Sequence, residues 1–206
     1  MKSLIIDSLI AVGTLMVAAA AIWGDWLRSW LAPTKLIIEP HNNLRGDPTV
    51  FKSRDTKSTQ PATRVMYFHL KVVNQRPWLS VKNCRVLLKG MNRRGPDGRF
   101  YPIPMSVPNQ FVWAPAEITP PVVTLVKEQI LDLGFITETE DKFIPTLYSY
   151  SNNFQGFVHK DEAVRYHLEI EATNFSSPCY QVLRLRGMEL GILTRRKCGN
   201  IFPSQR

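Results

Sequence analysis

The sequence predicts a mainly β protein: an antiparallel sandwich behind one apolar N-terminal helix. Three observations carry that expectation. Residues 4–23 are almost continuously apolar. From Lys35 onward the hydrophobic period falls to two, the period of a half-buried strand. Prolines and turn residues then interrupt the chain at short intervals, which excludes long helices. No strand–helix alternation is present, so a nucleotide-binding α/β sheet is disfavoured.

The opening segment is MKSLIIDSLIAVGTLMVAAAAIWGDWLRSWLAP. A helix of about 20 residues rises about 30 Å, the thickness of a bilayer's hydrocarbon core. Trp23, Trp26 and Trp30 follow at spacings of three and four and share one helical face. Indoles favour the headgroup region, so they predict a membrane-interface belt closing a transmembrane helix. Pro33 ends the helix. A cleaved signal peptide is the rival reading, with the alanines at 18–21 as the cleavage site. The weak basic start, the interruption by Asp7 and the Trp-rich continuation argue against it. Ser3, Asp7, Ala11, Thr14 and Ala18 form a narrow stripe of small and polar residues, suited to helix–helix association or to lining a pore. The plainer reading places Asp7 at the helix end, reaching the headgroups. Lys2 precedes the span, whereas Arg28, Lys35 and Arg45 follow it, which favours a cytoplasmic body.

Beyond the helix, KLIIE (35–39) reads as a first strand and 40–63 as a long polar loop. In VMYFHLKVVN, Met66, Phe68, Leu70 and Val72 are expected inward. In SVKNCRVLLKG the inward set is Cys84, Val86 and Leu88. RRGPDGRF is a turn. FVW (111–113), VVTLV (122–126) and QILDLGFI (129–136) are shorter strand candidates. AVRYHLEIEA alternates most clearly, with Val164, Tyr166, Leu168 and Ile170 inward, and YQVLRLRG is its hairpin partner. Roughly seven or eight short strands with frequent turns suggest an immunoglobulin-like sandwich, without the Cys-Trp-Cys pattern of true immunoglobulin domains. The expected organisation is a helix at 1–33, a sandwich at 34–187 and a basic tail at 188–206.

Charge and chemistry narrow the function only partly. There are 26 Lys+Arg against 17 Asp+Glu, a formal net charge of +9, which favours acidic partners. Cys84, Cys179 and Cys198 are odd in number and widely spaced; we expect three reduced thiols and neither a disulfide framework nor a zinc site. His41, His69, His159 and His167 show no metal-ligand spacing. His69 and His167 both fall on outward faces and would meet only on neighbouring strands. Glu138, Glu140 and Asp141, and Asp161 and Glu162, are acidic groups in loops. The Gly-x-Ser-x-Gly, phosphate-loop and Gly-x-Gly-x-x-Gly motifs are missing. No enzyme, metal or cofactor is therefore expected.

Arg93, Arg94 and Arg99, with Phe100 and Tyr101 adjacent, could neutralise phosphate and stack on bases, but a solvated hairpin tip whose aromatics begin the next strand is the favoured reading. Arg195, Arg196 and Lys197 extend the candidate acidic-partner patch. SYSNNFQGFVHK (149–160) is a loop of the kind that carries binding function at a sandwich end.

GDWLRSWL after the apolar run, then YFHLKVVN, NCRVLLKG, RRGPDGRF, FVWAP and VRYHLEIEATNF, resembles a group of uncharacterised bacterial single-span membrane proteins with a β-rich body. The resemblance reaches about Leu185 and implies no catalytic residues. The expected function is a single-pass, membrane-anchored, non-enzymatic binding protein whose partners are the lipid bilayer and a protein or small ligand. Nucleic acid is a weaker expectation. The alternative is a homo-oligomeric, membrane-disrupting effector of antiviral defence. A membrane-tethered hydrolase is disfavoured.

Overall fold

A computed structural model describes residues 2–31, 35–51, 63–138, 140, 142–173, 175–176, 179–186 and 189–198. Within these, side chains are described except at 2–5, 7, 25–31, 50–51, 63, 175–176, 179–182, 184–186 and 189–198. The chain divides into two units, Met1–Lys35 and Leu36–Arg206.

The first unit holds one helix, α1 (Lys2–Leu31). Its described apolar side chains are exposed, from Ile6 (57%) and Leu9 (68%) to Ile22 (73%) and Trp23 (61%). Among the described residues no helix is long and apolar enough to cross a membrane. The transmembrane character expected from the sequence thus has no support from α1.

The second unit is antiparallel β. Its strands are β1 (Leu36–Pro40), β2 (Asp47–Phe51), β3 (Thr63–Asn74), β4 (Val81–Arg94), β5 (Phe100–Ile103), β6 (Asn109–Gln110), β7 (Val112–Trp113) and β8 (Val123–Leu125). They continue with β9 (Glu128–Thr137), β10 (Lys142–Pro145), β11 (Val158–His159), β12 (Ala163–Ala172), β13 (Phe175–Ser176), β14 (Cys179–Arg186) and β15 (Glu189–Cys198). One sheet runs β1-β3-β9-β10-β11, with β2 on β3 and β7 on β9. The other runs β15-β14-β12-β4-β5, with β6 and β8 on β4 and β13 on β12. Side chains from both sheets form one core, including Phe68, Leu70, Val72, Leu131 and Leu133 from the first and Val86, Leu88, Val164, Tyr166 and Leu168 from the second. The arrangement is consistent with a β-sandwich.

Alternation produces most of this core directly. Cys84, Val86, Leu88, Val164 and Tyr166 are fully buried. Bulges then shift the phase, as in the β12–β4 and β3–β9 ladders. In the β12–β4 ladder, His167 faces Gly90 and Leu168 faces Leu88, so Lys89 is the extra residue and Met91 becomes the next inward side chain. In the β3–β9 ladder, Phe68 faces Gly134 and His69 faces Asp132, leaving Leu133 extra. The inward set on β9 accordingly steps from Leu131 and Leu133 to Ile136. A Cβ at Gly134 would run into the Ile144 carbonyl oxygen and the Phe143 ring, so only glycine fits beside β10 there.

Three expectations need correction. The polar stretch 40–63 is not all loop: 42–44 form a 3-10 turn, and β2 pairs with β3 from Asp47↔Tyr67 to Phe51↔Thr63. Residues 52–62 lie outside the described residues. Met66 is 45% exposed and lies against Gly46, whereas Val65 is buried. The segment read as a basic tail contains β15, which pairs with β14 from Cys179↔Cys198 to Arg186↔Glu189. Leu190, Ile192 and Leu193 continue the hairpin begun by β14.

Candidate functional site

Two regions far apart in sequence meet at one end of the β unit. β4 runs out at Arg94 into the turn 95–99, and β12 starts at Ala163 after residues 160–162. The register Val164↔Arg93 brings these loops side by side. A cleft of ≈ 490 Å³ opens between them, lined by Arg94, Gly95, Pro96, Gly98, Lys160, Asp161, Glu162 and Ala163.

Local chemistry fixes each wall. In the turn, Gly98 adopts φ +78, a conformation that favours glycine. Its N–H donates to the Gly95 carbonyl at 2.9 Å, and the Gly95 N–H donates to the Arg99 carbonyl at 2.7 Å. The Asp97 carboxylate accepts from the Tyr101 hydroxyl at 2.6 Å and from the Arg99 N–H at 3.1 Å. The Tyr101 bond, then the Arg99 bond, hold Asp97 below the usual carboxylate range, and the same Tyr101 contact raises the phenol. Arg94 Nε reaches the Gly98 carbonyl at 3.3 Å.

The opposite wall is pinned by Arg93 and Tyr166. Arg93 Nη2 donates to the carbonyls of Gln155 (2.8 Å) and Phe157 (3.3 Å) and lies 3.7 Å from Glu162 Oε2. The buried Tyr166 hydroxyl donates to the Gly156 carbonyl. Burial is the main cause that drives this phenol's pKa far upward. Tyr150, Phe154 and Phe157 pack on one another with centroids 5.2–6.0 Å apart. Glu162 accepts from the His159 N–H at 3.2 Å. The cleft thus presents Arg94 and Lys160 beside Asp161 and Glu162, a mixed-charge surface on a braced backbone. It suits a polar ligand or peptide segment that offers both signs of charge.

The expected site residues fall into separate places. Arg93 is a structural clamp, Arg94 lines the cleft, and Arg99 is an exposed side chain 3.9 Å from Asp97. Phe100 is already covered by the Arg165 guanidinium at 3.7 Å, and Tyr101 is engaged with Asp97, so neither ring is an open stacking platform. Arg195, Arg196 and Lys197 sit on β15 opposite Val182, Gln181 and Tyr180, whereas Arg93 is level with Val164 and Leu185. On the backbone, Arg195 is thus level with His167, three residues along β12 from the level of Arg93. The 149–160 loop does meet the arginine-bearing turn, through Arg93 and Lys160.

On α1, Ala11, Thr14 and Ala18 are exposed, and the Thr14 hydroxyl donates to the Ile10 carbonyl of its own helix at 2.8 Å. Trp23 is exposed. The side chains of Ser3, Asp7, Trp26 and Trp30 lie outside the described ones, as do those of Arg195, Arg196 and Lys197.

His69 and His167 do not meet, because β3 and β12 belong to different sheets. His167 pairs with Asn92. His69 lies between two carboxylates: Nδ1 is 2.8 Å from Asp132 Oδ1 and Nε2 is 3.4 Å from Asp47 Oδ2. The Nδ1 contact lacks the alignment of a hydrogen bond. Among the described residues no group of three or more His, Cys, Asp or Glu side chains is placed to hold a metal ion.

Sequence reasoning missed Asn74, which is 2% exposed. Its side-chain amide donates to the Leu79 and Val126 carbonyls, and its Oδ1 accepts from the Arg76 N–H. The signal was present: Asn74 has the inward parity of Leu70 and Val72, and a polar residue there must organise backbone groups.

No protein-family model matches the chain, and no curated protein matches it significantly.

Proposed function

We propose that the protein is a single-pass, membrane-anchored binding module whose β unit, immunoglobulin-like in architecture, offers the Arg94–Lys160 cleft to a polar partner. One observation carries the anchor. Every large apolar side chain described on α1 between Ile6 and Trp23 is more than half exposed. Removing such a surface from water is worth on the order of 10–20 kcal/mol, at roughly 1.5–3 kcal/mol per side chain. A lipid environment supplies that gain, and the apolar run of residues 4–23 has the length to use it. The positive charges after the run favour a cytoplasmic body.

The cleft supports the binding role. It lies at the end of the domain where β4 finishes, whereas the chain from α1 enters at Leu36, paired with Asn74 at the other end. The test is cross-linked capture from bacterial membranes with the full-length chain. Arg94→Glu with Lys160→Glu should lose a species that the unaltered chain retains, with equal membrane recovery. An unchanged set of captured species would overturn the cleft assignment.

A second reading, self-association into a membrane-disrupting effector, draws support from the exposed Ala11, Thr14 and Ala18. It requires that Asp7→Leu with Thr14→Leu abolish any membrane leakage caused by overexpression. If the unaltered chain leaves the membrane potential intact, that reading fails.

A further inference from the structure

The end of the β unit where the chain enters has its own surface chemistry. Leu36 opens β1 directly opposite Asn74, the last residue of β3. The Asn74 amide holds two loops at this end, through the Leu79 carbonyl at 2.7 Å and the Val126 carbonyl at 3.0 Å. Its backbone N–H donates to Lys127 at 2.8 Å. Each loop then turns one apolar side chain outward: Trp78 is 67% exposed and Val126 is 55% exposed. Lys82 and Lys127 are exposed on the same two segments. The nearest carboxylate on these segments, Glu128, is 3.4 Å from Lys71.

We propose that this end rests in the headgroup layer of the same bilayer that holds α1, with Trp78 and Val126 inserted and Lys82 and Lys127 facing lipid phosphates. The inference rests on the membrane reading of α1. Four residues, 32–35, join the helix to Leu36, a tether of at most about 18 Å. Leu36 therefore begins no more than about 18 Å of chain beyond the helix end at Leu31. An indole raised on a braced loop beside lysines matches the interfacial preference for amphipathic rings and the attraction of basic groups to anionic lipid. A rigid mount matters: because Asn74 fixes both loops, insertion costs little further ordering.

The test uses the full-length chain in vesicles of phosphatidylcholine and phosphatidylglycerol, with and without brominated acyl chains. Emission of the unaltered chain minus that of Trp78→Phe isolates Trp78 from the other four tryptophans. The expected result is a blue-shifted difference spectrum that loses most of its intensity to brominated lipid and resists aqueous iodide. Full access to iodide overturns the contact while leaving the anchor intact. Shielding from both quenchers also overturns it, because Trp78 would then be covered by protein. A chain that fails to enter the vesicles at all overturns the anchor and the contact together.

Discussion

Asn74 donates a side-chain hydrogen bond at 3.0 Å to the carbonyl of Val126, 52 residues further along the chain. With its bonds to Leu79 and Arg76, it closes one end of the domain. Asn74→Ala should leave two carbonyls and one N–H without their partner and destabilise the fold by about 2–4 kcal/mol. Asn74→Asp should be at least as harmful, because a carboxylate would face two carbonyl oxygens. Urea unfolding of the detergent-solubilised chain measures both.

Arg93 and Arg99 are six residues apart and separate sharply in role. Arg93→Ala removes the bonds to Gln155 and Phe157 and should cost about 1–3 kcal/mol. Arg99→Ala, at a side chain 84% exposed, should leave the unfolding midpoint essentially unchanged. The same denaturation experiment distinguishes them.

Glu171 gives the domain an acid sensitivity. Its partial burial raises the carboxyl, but hydrogen bonds from Lys89 (2.7 Å) and Arg85 (2.8 Å), and their charges, outweigh burial and hold it below its ordinary value. A depressed carboxylate stabilises the fold above its unfolded pKa, about 4.3, and that contribution disappears as pH falls through the lower folded value. At this partly exposed site it is worth at most about 1 kcal/mol. Glu171→Gln should be less stable than the unaltered chain at pH 7, and the difference should shrink as the pH falls below the ordinary carboxylate range.

Cys84 is fully buried, and desolvation pushes its thiol up to about 12. It should not react with an aromatic disulfide reagent in the native state at pH 8 and should react promptly in denaturant. Because its folded pKa is raised, its favourable effect on stability is complete below about 8.5 and declines as pH rises beyond that.

The legible part of the fold is the part written in a local period. Cys84, Val86 and Leu88, and Val164 through Ile170, were readable because one face must be dry and the other wet. The bulges at Lys89 and Leu133 were not, since a single inserted residue changes pairing without changing composition. β2 was hidden because an edge strand tolerates the polar sequence of a loop. The cleft was half visible: each of its two loops stood out by itself, but their meeting depends on the Val164↔Arg93 register, a long-range fact with no local signature. Asn74 could have been found from its parity alone.

The membrane anchor is the central claim, and alkaline carbonate extraction of membranes containing the full-length chain tests it most directly. The chain should remain in the high-speed pellet, be released only by detergent, and retain its sequence upstream of the alanines at 18–21. Recovery in the detergent-free supernatant, or a mature terminus beginning beyond those alanines, would contradict it.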